Sequence, residues 1–445
     1  MTTYLFAGPS LPDAAGLLAG DDVTVLPPVG AGDLLKLAPK QGDVVGIIDG
    51  YFRQTRAVRH KEILALIESG VTVVGAASMG ALRAAELDTF GMRGVGRVYR
   101  DYRHGRLTAD DEVALLHGPP EDGYRPITEA LVNIRATLRL CVRDGILDEG
   151  AAADLAAELA RRPYRLRSYP ALIELARALG AEKLEALRQV CTTRPVNLKR
   201  DDALELIAEL RTIRPGPEPA SFTLARSIYL HRWQLGARDL DTEDGPIPEL
   251  SILRMCQLFA EDYPDFYRNL VYTHIVQECT DQPPQPTLDA ALAHARHRTI
   301  IPETPDELDF LDLWLTPAER DQPLREQLAA FLIRSFQLAP GAPADALALD
   351  ALRGRPIMSA AANLVHAART VNQHAQQTQS TFDIHTLSAD RILNLIGERW
   401  GADPETLELH ALDRGIPSRD TLIAAARPFY LLATYNPHLM DLRIG

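Results

Sequence analysis

Before residue 90 the apolar positions come in short runs, each stopped by turn-forming residues. Tyr4–Ala7 ends at Gly8-Pro9, Asp22–Leu26 at Pro27-Pro28, and Asp43–Ile48 at Asp49-Gly50; Val71–Val74 runs into Gly75. Short, mostly apolar runs between turn residues predict buried strands. The intervening segments Leu11–Leu18, Ala31–Leu37 and Arg56–Ser69 have helical length. In the last of them Ile63, Leu66 and Ile67 form an apolar stripe, and Gly70 is the stop signal. Strands alternating with helices predict a mostly parallel sheet with helices packed on it.

From Ala81 onward the helical period takes over. Thr108-Ala109-Asp110-Asp111 has the form of a helix start, with Thr108 as N-cap and acids in the first turn. Glu129–Leu140 and Ala151–Ala160 are helix-patterned. Arg214-Pro215-Gly216-Pro217-Glu218-Pro219 suits neither a helix nor a central strand, so the main boundary is expected there. The expected organisation is an α/β core with a helical extension over 1–213 and a mainly α-helical accessory domain over 220–445. The fold class is therefore α/β: an N-terminal, mostly parallel sheet flanked by helices, followed by a largely α-helical C-terminal region. Further breaks fall at 282–286 and 340–343.

Composition narrows the class. The 445 residues suit two or three domains, and 46% hydrophobic with 24% charged residues is an ordinary globular balance. A net charge of −13 disfavours non-specific nucleic-acid binding, which needs a positive field to displace counterions. The four cysteines, Cys141, Cys191, Cys256 and Cys279, form no C-x-x-C pair and are expected to be reduced and mostly buried. Met1–Phe6 lacks the basic and apolar regions of a leader and reads as a first strand. No window reaches the roughly 18 uninterrupted apolar residues of a membrane span. A cytoplasmic location is the resulting expectation.

Candidate chemistry centres on Ala76-Ala77-Ser78-Met79-Gly80, of the form small-x-Ser-x-Gly after an apolar strand and before the helix-forming Ala81–Leu87. A nucleophile elbow needs small neighbours there, because larger side chains would collide with strand and helix. The helix N-terminus, at Met79 and Gly80, would offer N–H groups to an oxyanion. From this pentapeptide alone the better account of Ser78 is a helix N-cap, a place serine favours; a base within reach would change that. Candidate bases lie in Arg59-His60-Lys61-Glu62. His60 is the obvious one; Lys61 would serve only if desolvated into its neutral form. Without further information a solvated helix end is the better account of His60, Lys61 and Glu62 alike. In a parallel sheet, Asp49, Ser78 and the Gly8-Pro9-Ser10 turn would share the carboxyl edge of the strands, where ligands gather. Asp49 could also be a turn or cap residue.

Arg93, Arg97, Arg100, Arg103 and Arg106 crowd one Gly- and Tyr-containing stretch, which fits either an acidic protein surface or a solvated basic face. Asp110, Asp111 and Glu112 with His117, and His294 with His297, are better explained as helix-start acids and surface histidines than as metal ligands. No metal or cofactor is called for. Tyr229, Trp233, Tyr263, Phe266, Tyr267 and Tyr272 are expected to pack the C-terminal half.

In sequence order, Phe6-Ala7-Gly8-Pro9-Ser10-Leu11, Ile48-Asp49-Gly50-Tyr51-Phe52, His60-Lys61-Glu62-Ile63 and Gly75–Leu87 make a long set of motifs. It continues through Gly91–Gly96, Tyr99, Tyr102, Gly105, Asp110–Ala114, His117-Gly118-Pro119 and Leu131–Arg135. The combination resembles TfuA-like proteins over roughly the first third of the chain. That resemblance implies a partner of a YcaO enzyme in thioamidation of a peptide backbone. The partner would hydrolyse the C-terminal thiocarboxylate of a small ThiS-like sulfur carrier to deliver sulfide, and would help YcaO engage its precursor peptide. It also implies a serine–lysine pair, carried onto Ser78 and Lys61 here. A thiocarboxylate is anionic and a poor electrophile, so the site is expected to protonate it or offset its charge, to which Lys61 or Arg83 could contribute. The alternative is a non-catalytic scaffold that recruits the peptide and activates YcaO.

Overall fold

The computed structural model describes residues 2–52, 55–213, 221–277, 285–301, 308–336, 344–379 and 382–445. They form two compact units, Met1–Leu230 and His231–Gly445. The proline-rich segment expected to be the boundary, the break at 340–343 and Cys279 lie outside the described residues, as does most of the break at 282–286.

In the first unit the strands are β1 (Thr3–Phe6), β2 (Val23–Leu26), β3 (Val44–Ile47), β4 (Thr72–Gly75) and β5 (Arg93–Gly94). They pair in parallel in the order β2-β1-β3-β4-β5. The first four coincide with the apolar runs. The fifth has no apolar run to announce it; it is two residues long and gains its place by pairing with Val74 and Gly75.

Short helices connect them: α1 (Ala14–Leu17), α2 (Asp33–Leu37), α3 (His60–Glu68) and α4 (Met79–Leu87). After β5 come α5 (Gly96–Arg103), α6 (Leu131–Arg143), α7 (Glu149–Arg161), α8 (Tyr169–Leu175), α9 (Ala181–Thr193) and α10 (Leu198–Thr212). The sheet is buried on both faces. One face packs on Ile63, Leu66 and Ile67 of α3 and on Ala84 and Leu87 of α4. The other packs on Ala203, Leu206, Ile207 and Leu210 of α10, the last helix before the expected boundary. Sequence distance is thereby folded away: α10 becomes a covering layer for strands that precede it by more than a hundred residues.

The predicted cap at Thr108 is not formed. Asp110–Glu112 is a single 3-10 turn with Ala109 in the cap position and no side-chain capping bond. The buried guanidinium of Arg167 explains why the acids are used otherwise: it donates to Asp111 O and to Asp111 Oδ2, each at 2.8 Å. Glu112 in turn receives Arg135 at 2.9 and 3.0 Å.

The second unit contains an antiparallel hairpin, β6 (Asp239–Thr242) and β7 (Gly245–Pro248), and its other regular elements are helical. Its core collects Phe259, Tyr263 and Tyr267 with Ile252, Leu332, Ala361 and Ile396. Tyr263, Tyr267 and Tyr272 are buried as expected, whereas Tyr229 of the first unit is 62% exposed. Cys141, Cys191 and Cys256 are free thiols and buried. Among the described residues no helix is long and apolar enough to cross a membrane.

Candidate functional site

The strand order changes direction between β1 and β3, the point at which parallel sheets open a crevice beyond their carboxyl ends. A cavity of about 340 Å³ lies there. Pro9 after β1, Asp49 and Gly50 after β3, and Ser78 and Met79 after β4 form its floor. Tyr51, Phe52, Thr55, Asp110, Val113–His117, Ile127 and Tyr164 form its walls, and Lys199 from α10 completes it.

The serine turn is built by close backbone contact. Ser78 N–H donates to Ala76 O at 2.7 Å, which bends the chain around Ala77. Ala77 then sits at φ +65°, a left-handed conformation that costs a side-chain-bearing residue about 1–2 kcal/mol. The start of α4 lies directly on the sheet. A Cβ at Gly80 would stand 1.7 Å from Ile47 O, and one at Gly75 would stand 2.1 Å from Gly80 O. Both positions therefore need glycine, and the small-x-Ser-x-Gly pattern records that contact.

Ser78 occupies the N-cap position of α4 but its side chain makes no capping bond. It is 8% exposed, and no described residue hydrogen-bonds its hydroxyl. The capping role is thus absent, and the hydroxyl that lines the cavity is uncommitted. The Gly80 N–H is used by Ile48 O at 3.2 Å. The Met79 N–H, next after the serine, is bonded to no described group outside its helix and is free to face an anion.

Asp49 organises the first strand end. Its Oδ2 accepts from Gly8 N at 3.0 Å and Ser10 N at 2.9 Å, and its Oδ1 accepts from the Ser10 hydroxyl at 2.6 Å. Both residues are buried. Ser10 and the turn amides are therefore spent on Asp49 and are not available to an oxyanion.

Lys199 is the residue that sequence reasoning missed. It lies in the first turn of α10, 2% exposed, with Nζ donating to Val113 O at 2.9 Å and standing 4.0 Å from Asp49 Oδ1. Burial pushes its pKa down, against the opposing pull of Asp49 and Glu129. Its backbone is pinned as well. Lys199 N–H donates to Asn133 Oδ1 at 3.1 Å, and Asn133 Nδ2 donates to Glu129 Oε1 and to Asn197 Oδ1. Asn197 caps α10 through Arg200 N. Burial raises the Glu129 pKa.

The other candidate bases are elsewhere. Lys61 Nζ donates to Ala225 O at 3.0 Å and Ser227 Oγ at 3.2 Å, and it does not line the cavity. His60 bonds Glu86 at 2.8 Å; Arg83 donates to the same carboxylate and to Val58 O. His60, Arg83 and Glu86 thus form a network at the surface of α3 and α4, with Arg83 committed within it. In the arginine-rich stretch, Arg97 and Arg106 pair with Asp101, Arg103 with Asp88, and Arg100 with Glu205. Among the described residues no cluster of three His, Cys, Asp or Glu side chains could hold a metal ion.

Residues 49–168 match the family model described as TfuA-like protein. The match includes Asp49, Ser78 and His117 and stops short of Lys199. No curated protein matches the chain.

Proposed function

With a TfuA-like domain over residues 49–168, the chain is, we propose, a serine–lysine hydrolase that releases sulfide from the C-terminal thiocarboxylate of a small ThiS-like carrier, working beside a YcaO enzyme in peptide thioamidation. The observation that carries this reading is the meeting of the uncommitted Ser78 hydroxyl and the buried Lys199 ammonium in one cavity. Lys199 takes the role that the resemblance put on Lys61, because Lys61 is spent on Ala225 and Ser227.

A lysine can accept the serine proton only as a free amine, and desolvation favours that form. In the proposed reaction the thiocarboxylate enters in its S-protonated form. Ser78 Oγ attacks the carbonyl carbon as its proton passes to Lys199. The Met79 N–H faces the developing oxyanion, a contact type whose loss costs about 10²–10³ in rate. Collapse breaks the C–S bond, releases hydrosulfide and leaves an ester on Ser78. Asp49 acts by holding the first strand end and by its proximity to Lys199.

The test is sulfide release from a thiocarboxylated ThiS-like carrier. Ser78→Ala and Lys199→Met should each lose activity by about 10²–10⁴, the range of a positioned nucleophile or base. Lys61→Met should stay within about threefold of wild type, since its loss touches one exposed and one part-buried contact, neither of them in the cavity. Full release by both Ser78→Ala and Lys199→Met, with YcaO still stimulated, would sink the hydrolase and leave the non-catalytic scaffold.

A further inference from the structure

His117 lines the same cavity as Ser78 and Lys199. Its Nδ1 lies 2.7 Å from Gly118 O, so that nitrogen carries the hydrogen and the lone pair of the neutral ring is on Nε2. No described residue bonds Nε2. The ring is held between Tyr124, edge-on at 5.7 Å, and Tyr51, tilted at 6.4 Å. Its backbone is held too: Gly118 N–H donates to Arg125 O at 2.9 Å, His117 bridges Pro126, and Leu116 N–H donates to Thr128 Oγ1 at 2.8 Å. The imidazole is thus fixed in tautomer and position, with its acceptor nitrogen left open.

The proton balance of the proposed reaction calls for such a group. Hydrosulfide is a weak base and leaves without being protonated. After the ester forms, Lys199 still holds the Ser78 proton and cannot act as a base toward water. We infer that His117 is the base of the second half-reaction, activating the water that clears the ester from Ser78; this rests on the hydrolase reading above. His117 Nε2 takes one proton from water as the oxygen–carbon bond forms. The tetrahedral intermediate collapses, the Ser78 Oγ–carbon bond breaks, and Lys199 returns its proton to Oγ. The carboxylic acid departs, and His117 gives its proton to solvent. Water is the sole co-reactant.

The experiment follows hydrosulfide release and the intact mass of the full chain with a thiocarboxylated ThiS-like carrier. Wild type should turn over without accumulating an adduct. His117→Ala should release about one equivalent in a burst, accumulate a carrier–Ser78 ester and lose about 10²–10⁴ in steady-state turnover. Added imidazole should restore turnover, which a merely structural role for the ring would not allow. His117→Gln, which also keeps a polar side chain beside Gly118, should show the same burst. Turnover within twofold of wild type in both variants, or slow turnover with neither burst nor imidazole rescue, would overturn the inference while leaving the hydrolase reading intact. Full activity of Ser78→Ala would instead remove the reading on which it rests.

Discussion

Asp202 offers a quantitative test of how α10, the helix that carries Lys199, is held in place. Its carboxylate accepts from Arg97 N at 2.8 Å and Val98 N at 2.7 Å, joining α10 to the start of α5. The residue is 2% exposed, and burial raises its pKa from 3.8 to about 6, against the two backbone hydrogen bonds that lower it. The sign follows from proton linkage. Below pH 3.8 both folded and unfolded chains carry the proton. Between that value and about 6 the folded chain keeps it while the unfolded chain loses it, so stability falls as pH rises through this window. A shift of roughly two units corresponds to about 3 kcal/mol, lost by pH 7. Asp202→Asn cannot ionise, but its amide can accept only one of the two N–H groups, at a cost of about 1 kcal/mol. The variant should therefore be slightly less stable than wild type at pH 4 and about 2 kcal/mol more stable at pH 7. The three tryptophans, Trp233, Trp314 and Trp400, all lie in the second unit, so their fluorescence does not follow this event. Amide hydrogen exchange in peptides from α5 and α10 does. Parallel stability–pH curves for the two proteins would refute the claim that burial dominates at Asp202.

Gly80→Ala should destabilise the first unit by about 3 kcal/mol or more and abolish sulfide release, because the added Cβ meets backbone and not a movable side chain; thermal melting with the sulfide assay checks both. Arg167→Met removes a guanidinium that is 1% exposed and bonds Asp111, Leu159, Ala160 and Arg162. A loss of about 3 kcal/mol is expected in urea unfolding, since the Leu159 carbonyl stays buried, and the part-buried Asp111, Ala160 and Arg162 acceptors stay in place, without their donor. Ser78→Ala should melt within about 0.5 kcal/mol of wild type, as no described group loses a hydrogen bond; a large drop would mean that the hydroxyl is structural. Asp49→Asn should lower activity more than stability, with KM moved less than kcat, because it loosens the Gly8–Ser10 turn and alters the field at Lys199.

What could be read from the sequence was local. Four strands announced themselves as apolar runs between turn residues, and their parallel order brought Asp49 and Ser78 to one edge, as the alternation implied. The turn at Ser78 was legible because Gly75 and Gly80 are demanded by backbone contact within one strand–helix junction. The basic partner was not legible in the same way. Lys199 is followed by Arg200, Asp201 and Asp202, which reads as a solvated helix start. Its burial comes from α10 lying across the sheet, a tertiary fact without a local cause. One signal did exist. Lys199, Ala203, Leu206 and Leu210 fall at helical spacing and are all buried, so the lysine continues the apolar stripe of α10. A lone lysine on such a stripe must be desolvated, and desolvation is what a lysine base requires. His60-Lys61-Glu62 drew attention because it sits close to the serine in sequence, yet helix α3 directs Lys61 to the segment around Ala225 and His60 to Glu86. Position on a buried helix face, more than nearness along the chain, is the property that separates Lys199 from Lys61. The same criterion explains why Arg83, adjacent to the serine helix, is taken up by Glu86 and Val58 and stays out of the cavity.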